Sequence, residues 1–160
     1  MKKVLGLFLI ALLLLVVGAC SNDKAASNGE KAKQEENKAD DNQKAVKSAL
    51  LTYQNEVMKE IRSMEAAFTD EEQDLNEALA QFEKNVAEIE IPKELNGQKS
   101  ELEAAAAKLT EYYTNKVAQV NGDTANTEQT DALKQEYTDT ITKVFEDAKA
   151  IPPSFEGVFQ

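Results

Sequence analysis

Residues 75–89 read LNEALAQFEKNVAEI, and their apolar positions Leu75, Leu79, Phe82, Val86 and Ile89 advance by four, three, four and three. A strand would alternate every second residue. A helix turning every 3.6 residues instead lines these five side chains along one face, so the segment reads as an amphipathic helix with one stripe to bury. The same rhythm extends to both sides. Upstream, Val46, Leu50, Tyr53, Val57, Ile61, Met64 and Phe68 form a stripe. Downstream, Leu102, Ala106, Leu109, Tyr113, Lys116 and Val120 form a third, with Lys116 its one polar break. Leu133, Tyr137, Ile141, Val144, Ala148 and Ile151 form a fourth. No segment alternates as a strand does.

The interruptions between stripes carry punctuation chemistry. Thr69-Asp70-Glu71-Glu72 fits a capping box, in which Thr69 accepts from the Glu72 amide and Glu72 reaches back. Pro92 is tolerated only in a first turn, so it ends the second helix or opens the third. Asn121-Gly122 suits a helix end, because glycine readily takes the left-handed conformation there. Asn126, followed by Gln129, starts the fourth helix, and Pro152-Pro153 closes it. The helices come out at about 25, 21, 23 and 23 residues, each roughly 32–38 Å long. Matched lengths and short links predict an all-α fold, an antiparallel up-down four-helix bundle over residues 43–160. The rival arrangement fuses the first two helices through Thr69 into one long rod.

Residues 21–42 hold no Val, Ile, Leu, Phe, Tyr or Met. Such a stretch buries too little apolar surface to offset its ordering entropy, so residues 20–42 read as a disordered tether, with partial helix as the alternative. Ahead of it, Lys2 and Lys3 precede an apolar run, Val4 to Val17, broken only by Gly6. That run is shorter than the 20 or so residues of a membrane span and ends in small residues, which is the layout of a signal peptide over 1–19. Its last residues and the one that follows, Val17-Gly18-Ala19-Cys20, include the only cysteine of the chain.

This tetrapeptide resembles the lipobox of bacterial lipoproteins: an aliphatic residue, two small residues, then cysteine. The resemblance implies cleavage before Cys20, a diacylglyceryl thioether on its sulfur, acylation of the new amine, and anchoring on the outer face of the cell membrane. A lone cysteine has no partner for an internal disulfide, and lipidation accounts for it. Beyond the anchor, Ile91-Pro92-Lys93-Glu94-Leu95 followed by Leu102-Glu103-Ala104-Ala105-Ala106-Ala107-Lys108-Leu109 resembles small helical lipoproteins of uncharacterised function from low-GC Gram-positive bacteria. The histidine expected soon after the proline in that group is missing here.

Composition narrows the chemistry. Cleavage before Cys20 would remove Lys2 and Lys3, leaving 16 basic against 29 acidic residues and a net charge of −13. A nucleic-acid partner, which needs basic groups to displace counterions, is therefore not expected. The chain has no histidine, which excludes a Ser-His-Asp triad, a Cys-His pair and histidine metal centres. With Cys20 taken by lipid, no thiol nucleophile remains. The acids at Asp70, Glu71, Glu72 and Asp74, and those around Asp123 and Glu128, match no calcium-loop pattern and read as helix-start charges. No enzyme activity, cofactor or metal is expected.

Two C-terminal features remain. Ile91-Pro92-x-x-Leu95-x-Gly97 and Ile151-Pro152-x-x-Phe155-x-Gly157 form a near repeat. Both copies follow a descending helix, so Leu95 and Phe155 would plug one end of the core or form a partner surface there. The run Phe155-Glu156-Gly157-Val158-Phe159-Gln160 either folds back on the bundle or docks a partner through Phe155 and Phe159. The reading as a whole is a membrane-anchored envelope lipoprotein with a non-enzymatic helical body acting through protein or cell-wall contacts. A small-molecule-binding lipoprotein serving a membrane transporter is the alternative.

Overall fold

Aspartate chemistry, rather than the threonine, separates the first two helices. In the computed structural model, which describes residues 28–123 and 125–159, helix α1 runs Asn28–Thr69 and helix α2 runs Leu75–Glu88. Thr69 is the last residue of α1, and its hydroxyl donates to the Ala66 carbonyl at 2.8 Å. Asp70 Oδ1 then accepts from the Glu72 amide at 3.0 Å, which tightens the turn. The cap of α2 is Asp74, whose Oδ1 accepts from the amides of Asn76 (2.8 Å) and Glu77 (3.4 Å). The capping box expected at Thr69 is thus displaced by five residues, onto a carboxylate that accepts more strongly from two amides than a hydroxyl would. The single fused rod is not formed.

After α2, Ile89 turns extended and the chain passes through Pro92 into a 3-10 turn, Lys93–Leu95. Helix α3 follows over Lys99–Val120 and helix α4 over Thr127–Asp147. The described residues are therefore all-helical, with four α-helices and no strand. Helix α2, at 14 residues, is shorter than expected, because Asp74 starts it late and the residues ahead of Pro92 are biased toward extended backbone. Helix α1, at 42 residues, is longer. It begins inside the stretch assigned to a disordered tether, so residues 28–42 are helical. Their Ala, Lys, Glu and Gln content carries high helix propensity, and a folded helix downstream removes the cost of nucleation.

Helices α3 and α4 both end in a Schellman turn. At α3, the Gly122 amide bonds to Gln119 and the Asp123 amide to Ala118, with Gly122 at φ +100. At α4, Lys149 donates to Glu146 and Ala150 to Phe145, and Lys149 takes the left-handed position at φ +54. Asn126 occupies the N-cap position of α4 without a side-chain bond. Its carbonyl instead accepts from both the amide and the hydroxyl of Thr130.

The stripes converge on one apolar core. Leu50, Ile61, Leu95, Leu102, Leu109 and Val144 are fully enclosed within it. Two stripe positions fall outside. Val120 and Ile151 are 62 % and 89 % exposed, because α3 is ending at the first and α4 has ended before the second. In exchange α3 buries Ala105, Tyr112 and Val117, a second row that lets it touch α2 on one side and α4 on the other. The α3–α4 pair has the most extensive contact, and α1 packs against α2 and the 3-10 turn. Polar pairs cross the same seams: Asn85 donates to Glu60 at 2.6 Å, Gln119 to Thr130 at 2.6 Å, and Lys108 meets Glu136 at 3.1 Å.

Candidate functional site

The stripe of α3 was broken at Lys116, and in the fold this lysine completes a buried ion pair. On α1, Glu65 lies one residue past Met64 on the core face. Its side chain is 5 % exposed and that of Lys116 is 16 % exposed. Lys116 Nζ donates to both carboxylate oxygens, at 3.0 and 2.8 Å, and the Tyr113 hydroxyl donates to Glu65 Oε1 at 2.8 Å. The ammonium also sits 4.3 Å from the centroid of the Phe68 ring, a favourable arrangement of charge over a π face. Burial, and then the negative charge of Glu65, push the Tyr113 hydroxyl far above the ordinary tyrosine range.

Around this pair the rings form a continuous cluster. Tyr113 meets Phe82 edge-on at 4.8 Å and Tyr112 at 4.7 Å. The C-terminal residues extend it: Phe159 lies edge-on to Tyr112 at 5.4 Å, and Phe155 edge-on to Tyr137 at 5.6 Å. Such edge-to-face contacts add about 0.5–1.5 kcal/mol each beyond area burial. On the α1 side, Gln54 Nε2 donates to the Tyr137 hydroxyl at 3.3 Å, while its buried Oε1 has no partner among the described residues. Burial raises the Tyr137 hydroxyl as well, against a smaller downward pull from Gln54.

The residues singled out from sequence take different places. Cys20 lies outside the described residues. Leu95 is completely buried in the 3-10 turn, which packs on α1. Phe155 and Phe159 are half-buried and fold back onto α3 and α4, where their rings are 6.2 Å apart. The two halves of the near repeat thus serve different elements. Sequence reasoning missed Glu65 and Gln54, because a polar residue one step from a stripe position is indistinguishable from the solvated face. Lys116 was visible as a break in the stripe, though its partner was not.

A second feature is a surface groove of about 390 Å³ where the end of α2 passes α1 and the start of α3. Val86, Ile89, Ile91 and Ala106 give it an apolar floor, and Glu90, Lys99 and Glu103 stand along it. Tyr53 lines it too, with its hydroxyl pushed up to about 12 by burial and by the nearby Glu103. Ile91, the first residue of the near repeat, therefore faces this groove.

No protein-family model matches the chain, and neither a curated protein nor a solved structure is significantly similar to it. No described helix is long and apolar enough to cross a membrane.

Proposed function

We propose that this chain is a lipid-anchored lipoprotein of the cell envelope, displayed on the outer face of the cell membrane, whose helical body works through protein or envelope contacts rather than catalysis. The observation that carries the reading is Val17-Gly18-Ala19-Cys20 behind a basic and then apolar leader. Two or more acyl chains at one cysteine anchor stably where a single chain holds only marginally. The acidic body, at −13 after cleavage, is repelled by anionic headgroups and favours standing clear of the bilayer. The part of α1 that precedes the core, about 18 residues from Asn28, would act as a helical stalk about 27 Å long.

The body is best read as an up-down-up-down bundle. Support comes from the order of the cross-helix pairs. Glu60 of α1 meets Asn85 late in α2, whereas Met64 shares a small cavity with Ala78 and Phe82, earlier in α2. Tyr53 neighbours Glu103 and Glu65 meets Lys116, so α1 and α3 advance together. Gln119 meets Thr130 and Glu101 meets Lys143, so α3 and α4 advance oppositely.

Treating cells with globomycin, or deleting lipoprotein signal peptidase, should leave a larger precursor, and Cys20→Ala should abolish incorporation of a palmitate analogue. An unchanged size and unchanged labelling would overturn the anchor. Crosslinking of the anchored protein in intact cells, with Cys20→Ala as control, would then identify the contacts that depend on position.

A further inference from the structure

We propose that the groove beside Tyr53 binds small organic cations: an ammonium group carried on an apolar body. This holds independently of the membrane anchor. A volume of about 390 Å³ falls within the range of about 300–1,000 Å³ that small-molecule sites occupy. The aliphatic side chains of Val86, Ile89, Ile91 and Ala106 provide an apolar floor. Ile89 and Ile91 remain only half-buried because the chain between α2 and the 3-10 turn is extended there and no helix covers it.

Charge decides the sign of the ligand. Two carboxylates, Glu90 and Glu103, and one cation, Lys99, line the groove. Lys99 Nζ lies 3.7 Å from Glu103 Oε1, in a solvent-exposed pair. Such a pair contributes little and exchanges readily, leaving one carboxylate in excess for an incoming ammonium. The chain's net charge of −11 raises the local concentration of cations and opposes anions.

The third observation is Tyr53 itself. It is only 4 % exposed, it borders the groove, and no described group hydrogen-bonds its hydroxyl. That oxygen is not sealed from solvent, so it opens on the groove and can accept from an ammonium N–H at the groove wall. The other concavities lack this combination. The small cavity between α1 and α2 is lined by Gln81, Asn85 and Glu60, which already satisfy one another.

The test uses the full-length chain with its isoleucine and valine methyl groups labelled for NMR, titrated at low salt with phenethylamine, a cation, and with uncharged phenethyl alcohol. Phenethylamine should give saturable shifts confined to Val86, Ile89 and Ile91, and should bind more tightly than the alcohol. Replacing the exposed Glu90→Gln and Glu103→Gln should each weaken the amine about two- to fivefold, the range of partly exposed charge pairs. Neither replacement should change binding of the alcohol. Tyr53→Phe should weaken the amine while the methyl spectrum of the free protein stays folded. Absence of saturable methyl shifts, shifts scattered over the whole bundle, or equal binding of amine and alcohol would each overturn the proposal.

Discussion

Raising the pH should unfold this protein in one narrow step, and its tyrosines should report the step. All four tyrosines of the chain, Tyr53, Tyr112, Tyr113 and Tyr137, are buried, and burial raises every hydroxyl above its ordinary value. Tyr53 is pushed up to about 12 and the other three further. Between the unfolded value of about 10 and these folded values, the unfolded chain has lost protons that the native state still holds. Stability therefore falls as pH rises, by about 1.4 kcal/mol per pH unit for each tyrosine and about 5 kcal/mol per unit for four. A domain of modest stability, about 5–10 kcal/mol, should then lose its fold between about pH 11 and 12. The chain has no tryptophan, so tyrosinate absorbance can be followed without overlap, alongside helicity by circular dichroism. Tyrosinate should be nearly absent up to the transition and should then appear for all four residues together with the loss of helix. Gradual titration near pH 10 with helicity intact would refute the burial argument.

Three further predictions concern single positions. Lys116→Met removes the cation from a nearly buried carboxylate and should cost about 3–5 kcal/mol in chemical denaturation, while the double variant Glu65→Met/Lys116→Met should recover most of that loss; equal costs for single and double variants would contradict a coupled pair. Lys149→Gly should raise stability by about 1 kcal/mol, seen as a higher Tm, since φ +54 costs a side-chain-bearing residue about that much and glycine nothing. Phe159→Ala should cost about 2 kcal/mol through lost burial and ring contacts; an unchanged Tm would mean that the C-terminal segment does not pack.

Much of the core was readable from spacing. Tyr53, Ile61, Leu109, Tyr137 and Ile141 were placed by period alone, because burying one face of a helix is a local demand that recurs every three or four residues. The boundaries were less legible. Thr69 and Asp74 both qualify as caps, and the choice depended on how tightly residues 70–73 could turn. Nor does composition decide where α1 begins, since a run rich in Ala, Lys and Glu suits both a solvated coil and a helix continued from a packed one. The candidate groove itself was not legible; the motif around Ile91 and Pro92 was read instead as an end plug of the core or a partner surface.

By itself, then, the sequence determined the helical class, the faces to be buried and the acidic balance, all set by residue type and short-range periodicity. Only the tertiary structure decided which polar residues are inside. Glu65 and Lys116 are 51 residues apart, and although Lys116 interrupts an apolar stripe, nothing local distinguishes Glu65 from a surface charge or marks it as the partner. They become an ion pair because the core that α1, α2 and α3 share brings them together and removes most of the water from both. The same holds for Phe155 and Phe159, whose role follows from the rings of Tyr137 and Tyr112 that the fold brings to them.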